Sequence, residues 1–131
     1  MLRVLDGIYN VQGLRIGRVY VIEASDGLTL IDTSIPNSMP QIAKELATIK
    51  HSLTDIKRIL ITHAHYDHFG SLADLKALTG ATVYAPHFYE SEAIRGEKPM
   101  PRADPAQLTG LSKFAATRMK PPQIKPTQVE Q

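Results

Sequence analysis

The chain has 131 residues, 43% of them hydrophobic, and a formal net charge of +2, which predicts one folded domain and excludes wholesale disorder. Its basic residues are scattered, so nothing in the sequence favours a nucleic-acid partner. Because cysteine is absent, any metal site must be built from imidazole and carboxylate groups. No apolar run approaches the ~20 residues of a membrane span and the N-terminus is unlike a signal peptide, so we expect a cytoplasmic protein with no membrane partner.

Three apolar runs near the N-terminus predict β-strands, at residues 7–11, 18–23 and 28–32. The second and third contain β-branched and aromatic residues, and the turn-forming segment 25–27 separates them. This pattern predicts a β-hairpin.

A helix is predicted after the hairpin. Residues 36–38 (Pro-Asn-Ser) are a helix-start signal, and Pro40 suits the first turn. Apolar residues then recur at helical spacing, namely Met39, Ile42, Ala43, Leu46 and Ile49. Residues 58–62 next form a short apolar strand, which ends where a cluster of metal-binding residue types begins.

A second helix and a further strand follow that cluster. Residues 71–74 (Ser-Leu-Ala-Asp) resemble a capping box, and Gly80 suits a C-terminal cap. Between them, three leucines predict the apolar face of the helix: Leu72, Leu75 and Leu78. Residues 81–85 read as a short strand.

This alternation of helices and strands indicates an α/β layered fold. We place the domain at residues 1–119. Residues 120–131 contain three prolines and little periodicity, which predicts a linker or tail.

The cluster lies in the segment 62–68, which reads Thr-His-Ala-His-Tyr-Asp-His. His63 and His65 are two residues apart, so their rings point to one side of an extended loop and can grip one ion. Asp67 and His68 are adjacent, and a tight turn could aim both at a second ion. Solvated surface residues are the alternative interpretation, but four such side chains within six residues favour a metal site.

The string His63-x-His65-x-Asp67-His68 resembles the signature of the metallo-β-lactamase superfamily. The segment 30–33 (Leu-Ile-Asp-Thr) is similar to that family's second-strand Asp-Thr element. The likeness runs from about residue 7 to about residue 95. It implies an αββα sandwich, of which this chain supplies mainly the N-terminal half.

The resemblance also implies a metal-dependent hydrolase in which a metal-bound hydroxide attacks an ester, thioester, lactone or amide of a small molecule. His63 and His65 would ligate the first metal, and Asp67 and His68 the second, with Asp67 also the predicted catalytic residue. The implied cofactor is one or two Zn²⁺ ions, with iron or manganese as alternatives. Asp32 is either a carboxylate that supports the site or a residue that caps a turn.

The chain departs from the family pattern downstream of the motif, where the family has a further histidine, a bridging aspartate and a last histidine. His87 is the only histidine after the motif, and neither Asp104 nor Glu130 lies in a recognisable context. His51 suits a helix end better than a metal site.

Three explanations stay open: a fragment of a longer enzyme, a half-domain that dimerises, or a non-catalytic relative that binds metal or a partner chain. A persulfide-dioxygenase-like iron oxidoreductase is a further alternative on the same scaffold. The half-fold should leave one sheet face apolar and uncovered, so we expect a homo-oligomer or a partner chain that supplies the second half.

Overall fold

The computed structural model describes residues 1–86, 89–100, 105–110, 114 and 123–130. One sheet organises these residues, and its six strands lie side by side in chain order: β1 (Leu2–Leu5), β2 (Ile8–Asn10), β3 (Tyr20–Ala24), β4 (Gly27–Ile31), β5 (Ile56–Leu60) and β6 (Thr82–Tyr84). The first four strands pair antiparallel, whereas β5 pairs parallel to both β4 and β6. The predicted α/β architecture is therefore confirmed.

The helices lie in the connections between and after the parallel strands. They are α1 (Met39–Ala47), α2 (Tyr66–Phe69), α3 (Leu72–Thr79) and α4 (Tyr89–Ile94), with 3₁₀ turns at Leu53–Asp55 and Pro105–Gln107. Within the described part of the chain, no helix combines the length and the apolar character that a membrane crossing requires.

The core lies on the helix side of the sheet. Alternate residues of the strands are buried there, among them Val21, Leu30 and Ile59, each with no exposed surface. Helix α1 contributes Ile42 and Leu46, as its predicted stripe requires, and α3 contributes Leu72 and Leu75. The third predicted leucine, Leu78, is 54% exposed, so its assignment to the apolar face was wrong: six residues after Leu72 it lies about 120° away around the helix axis.

The predicted hairpin is confirmed, because β3 and β4 pair from Tyr20↔Ile31 to Ala24↔Gly27. The strand β1 was not predicted. All of its residues are exposed, so neither of its faces packs against the core. The strand before the motif runs from Ile56 to Leu60 rather than from 58 to 62.

The serines predicted at the starts of α1 and α3 lie there, but their side chains form other hydrogen bonds than the predicted caps. Ser38 and Ser71 precede α1 and α3, yet neither side chain caps its own helix. Instead the backbone N–H of Ser38 donates to Oγ of Ser71 (2.8 Å), whose hydroxyl donates to the carbonyl of Ile35 (2.7 Å). The two helix starts are thus joined. Gly80 adopts the left-handed conformation expected of a C-terminal cap.

On the face away from the core, apolar side chains form a row across four strands. The strand register aligns Tyr20 with Ile31, Ile31 with Leu60, and Leu60 with Tyr84. Leu60 is 37% and Tyr84 40% exposed. We call these four residues the open row.

On β3 the strand position next to the open row is the half-buried Ile22, which pairs with Thr29. On β4 and β5 that position is polar. There Nε of Arg58 donates to Oγ1 of Thr29 (3.0 Å). The apolar face expected from the sequence therefore extends from the open row to Ile22 but does not cover the whole sheet.

Residues 123–130 lie along the β6 side of the sheet. The N–H of Glu130 donates to the carbonyl of Val83 (2.6 Å), and that of Thr127 to the carbonyl of Ile94 (2.9 Å). Nζ of Lys125 donates to Asp74 (2.6 Å), so Asp74 serves an ion pair and not the predicted capping box. The domain boundary at residue 119 stays a prediction.

Candidate metal centre

The motif lies at the carboxyl end of β5. The N–H of Ile61 donates to the carbonyl of Tyr84 (2.9 Å), which extends the pairing with β6 by one residue. The chain then loops to His65, whose extended backbone precedes the single turn of α2. Ala64 and Phe69 are buried and anchor this loop, while His65 is exposed. Alternate residues are thus turned towards the core and towards solvent.

The three imidazole rings of the motif are brought together at the end of this strand. The ring centroids of His63 and His68 lie 3.8 Å apart with a 46° tilt. Those of His63 and His65 lie 4.7 Å apart, edge to face. Oδ2 of Asp67 lies 3.5 Å from Nε2 of His68, so all four predicted ligands occupy one small region.

A buried carboxylate supports this region from the neighbouring strand. Asp32 follows β4, is 5% exposed, and lies beside the motif because Ile31 pairs with Leu60. Its Oδ1 accepts the N–H of Thr62 (2.8 Å) and its Oδ2 the hydroxyl of Thr62 (2.7 Å). The same Oδ2 lies 2.8 Å from Nδ1 of His68. Of the two interpretations of Asp32, the structure favours the supporting carboxylate.

The contact with Asp32 determines the chemistry of the His68 ring. A carboxylate oxygen beside Nδ1 favours a proton on that nitrogen, which leaves Nε2 with its lone pair. Nε2 is the atom that faces Asp67. In that tautomer Nε2 has the lone pair that a metal ligand needs, and the ligand role of His68 stays a prediction.

The surroundings of His63 favour the neutral form of its ring. Burial lowers the pKa of His63 below its ordinary value, and the neighbouring rings of His68 and His65 lower it further. A neutral imidazole is the form that binds a metal ion.

The donor set fits zinc in kind, since zinc is bound by imidazole and carboxylate groups. The side chains are nevertheless not in a coordinating arrangement: among the described residues, no group of three or more histidine or acidic side chains is placed to hold an ion. His63 packs against His68, and its Nδ1 lies 3.1 Å from Oγ1 of Thr62. Binding therefore requires side-chain rotation, and the ligand roles of His63, His65, Asp67 and His68 stay predictions.

The backbone of the motif is held by a second set of contacts that the sequence analysis missed. The carbonyl of His68 accepts from Thr33 twice, from its N–H (2.6 Å) and from its hydroxyl (3.1 Å). The N–H of Gly70 donates to the carbonyl of Ser34 (2.8 Å). A Cβ at Gly70 would collide with the backbone of the 35–36 segment, which is why glycine is needed there. The position of Thr33 directly after Asp32 was the only available signal.

The other candidate residues lie apart from the motif or outside the described residues. His51 contacts carboxylates through both ring nitrogens, Asp55 at 3.3 Å and Glu23 at 3.1 Å. Glu130 forms a bridge with Tyr84 at the β6 edge. His87 and Asp104 lie outside the residues that the structure describes.

Comparison with known proteins gives consistent matches. A family model described as the metallo-beta-lactamase superfamily matches residues 13–129. The chain is 40% identical over 68 residues to a hydroxyacylglutathione hydrolase of Rhodopseudomonas palustris, covering 52% of this chain and 25% of that protein. It is 28% identical over 100 residues to a linear primary-alkylsulfatase of a Pseudomonas species, covering 72% of this chain and 15% of that protein.

Solved structures give the same result. A subclass B3 metallo-beta-lactamase of Bradyrhizobium japonicum superposes with a TM-score of 0.67 at 40% identity, over 72% of this chain and 35% of that one. A class B3 di-zinc metallo-beta-lactamase from an Alaskan soil metagenome gives a TM-score of 0.67 at 30% identity, with the same two coverages. In each of these comparisons the chain spans well under half the length of the protein it matches.

Proposed function

The chain belongs to the metallo-beta-lactamase superfamily, and we propose that it is the metal-binding part of a metallohydrolase. Its relatives in that family are metallohydrolases. The observation that carries the proposal is the convergence of three imidazole rings, with centroids 3.8 Å and 4.7 Å apart, beside a carboxylate network at one sheet edge. The class of substrate that we propose is a small-molecule ester, thioester, lactone or amide.

The proposed ligand roles are those that the resemblance of the motif implies. His63 and His65 would hold one zinc ion, and Asp67 and His68 a second. The di-zinc relative from soil supports two ions. Zinc bound at such a site polarises a carbonyl and lowers the pKa of water.

We also propose roles for Asp32, Thr62 and Asp67. Asp32 holds the proton on Nδ1 of His68 and so keeps Nε2 directed towards Asp67. Thr62 joins Asp32 to the first turn of the motif. Asp67 has a 28% exposed side chain beside Nε2 of His68, and this position supports its proposed catalytic role.

The relatives differ in the substrates that their names print, an acylglutathione in one and an alkyl sulfate in another. The segment that they share with this chain covers 25% and 15% of their lengths. We infer that this segment carries the metal chemistry and that substrate selection depends on other parts of those proteins.

A zinc titration by calorimetry tests the proposal. His65→Ala removes one direct ligand, so we expect at least a roughly tenfold loss of zinc affinity. The matched control is His51→Ala, which removes an imidazole bonded to Glu23 and Asp55 and should leave the affinity within about twofold. Equal losses in the two variants would show that the motif is not the metal site.

Hydrolysis is tested separately with the zinc-loaded chain and 4-nitrophenyl acetate as the ester. We expect turnover that His65→Ala abolishes and His51→Ala retains. Turnover that survives in His65→Ala would contradict the proposed site.

We also propose that the open row is covered by a second copy of the chain or by a chain supplying the second half of the fold. The support is the exposure of Leu60 and Tyr84 next to the motif, because exposed apolar rows beside a functional site favour association.

A further inference from the structure

Two consecutive residues contact His68, Asp32 at its ring and Thr33 at its backbone carbonyl. Oδ2 of Asp32 lies 2.8 Å from its ring, at Nδ1. Thr33 holds its carbonyl, which accepts the N–H at 2.6 Å and the hydroxyl at 3.1 Å. Both lone pairs of the carbonyl oxygen are therefore used by one residue.

We propose that Thr33 is a positioning residue for His68, whose doubly bonded carbonyl fixes the direction in which the ring presents Nε2. This inference rests on the proposed function, since the direction of Nε2 matters for a ligand. Thr33 acts through the backbone of His68, whereas Asp32 acts through its ring.

Thr33 is itself fixed in place. It is fully buried, as is Ser34, and the residues on either side of it have left-handed backbones, with φ of 62° at Asp32 and 61° at Ser34. Non-glycine residues adopt this conformation only where the surrounding structure imposes it. The carbonyl of Ser34 accepts the N–H of Gly70, so this segment bonds the end of α2 at two points.

The hydroxyl matters because α2 is a single turn of four residues. A helix of this length is not stable by itself, so contacts with residues outside the helix keep it in position. A zinc–nitrogen bond tolerates only about 0.2 Å of variation. A small rotation of the His68 peptide is therefore enough to weaken a ligand at the far end of the side chain.

The experiment replaces the hydroxyl and leaves the backbone N–H. Thr33→Val is nearly isosteric, Thr33→Ala removes the hydroxyl without adding a buried methyl group, and Thr33→Ser retains it. The matched control is Thr79→Val, which removes the same kind of bond, from Oγ1 to the carbonyl of Leu75 (2.8 Å), in α3. For Thr33→Val and Thr33→Ala we expect zinc affinity to fall about tenfold and the absorption bands of the cobalt-loaded protein to shift. Thr33→Ser and Thr79→Val should stay within about twofold of the original chain.

A metal-free readout separates this inference from the proposed function. The ring ¹⁵N shifts of His68 should report one tautomer in the original chain and in Thr33→Ser, and an average of two tautomers in Thr33→Val and Thr33→Ala. Unchanged His68 shifts in those two variants, or the same change in Thr79→Val, would overturn the role of Thr33. Absence of zinc binding by the original chain would overturn the proposed function, while the ¹⁵N shifts would still decide whether Thr33 positions the ring.

Discussion

Replacing Asp32 by asparagine tests the carboxylate network most directly. Asparagine has nearly the same shape and tolerates the left-handed backbone at this position (φ 62°). The oxygen that accepts the N–H of Thr62 at 2.8 Å is retained. The substitution therefore changes one atom, Oδ2, from an acceptor with charge into a donor.

Two hydrogen bonds depend on that atom, from the hydroxyl of Thr62 at 2.7 Å and with Nδ1 of His68 at 2.8 Å. A bond to a charged group contributes about 1.5–3 kcal/mol. Thr62 is exposed and its hydroxyl can turn to accept, so we expect the metal-free protein to lose only about 1–2 kcal/mol of unfolding free energy.

The effect on zinc should be larger. An amide donor beside Nδ1 of His68 favours the opposite tautomer, which places the proton on Nε2, the proposed ligand atom. We expect Asp32→Asn to lower zinc affinity by about 10–100-fold, or about 1.4–2.8 kcal/mol of binding free energy.

The assay is competition with a chromophoric chelator, alongside thermal unfolding. The control is Asp26→Asn, which removes a carboxylate from its paired bonds with Arg58 (both 2.7 Å) at a turn and should leave zinc affinity unchanged. An Asp32→Asn chain that binds zinc as tightly as the original, or one that loses no more than Asp26→Asn, would refute this account of the network.

Three further predictions concern stability and association. Gly70→Ala should destabilise the chain by about 1–3 kcal/mol in urea unfolding, because a methyl group there collides with backbone; an unchanged midpoint would contradict the close approach. Hydrogen bonds from the backbone N–H of Ser52, from His51 and from the hydroxyl of Ser52 lower the pKa of Asp55. The contribution of Asp55 to the free energy of unfolding is therefore present above the ordinary carboxyl pKa and is lost as the pH falls through the lowered pKa. Asp55→Ala should then be less stable than the original chain at pH 7, and the difference in unfolding free energy should shrink as the pH is lowered below the ordinary value of 3.8; a difference that stays the same size at acid pH would be evidence against it. By light scattering at micromolar concentration the chain should be a dimer and Leu60→Asp a monomer, since burial contributes about 25 cal/mol per Å²; a monomeric original chain would count against association.

Local periodicity predicted much of the fold. The β3–β4 hairpin follows from alternating apolar residues around a turn, and α1 from an apolar stripe, and both depend only on near neighbours. The strand β1 has only four residues, which is too short a run for its pattern to predict a strand. Leu78 follows Leu75 by three residues, but at about 100° per residue it lies about 120° around the helix axis from Leu72, outside the buried stripe.

Part of the candidate site could likewise be predicted from the sequence, and part could not. The grouping of His63, His65 and His68 was predictable, because a loop directly after a buried strand brings them to one edge. The contacts of Asp32 and Thr33 with His68 were not, since they depend on the register in which Ile31 pairs with Leu60. Register between distant strands is decided by the packing of the whole sheet.

That register also has a consequence for how the protein folds. Asp32 lies 30 positions before Thr62 and 36 before His68, so the frame around the motif cannot form until a long loop has closed and two parallel strands have paired. Such non-local pairing is slow, which places completion of the site late in folding. A peptide of residues 56–86 would contain all four predicted ligands and still lack Asp32 and Thr33, and we expect it to behave as a flexible chelator without a preferred geometry.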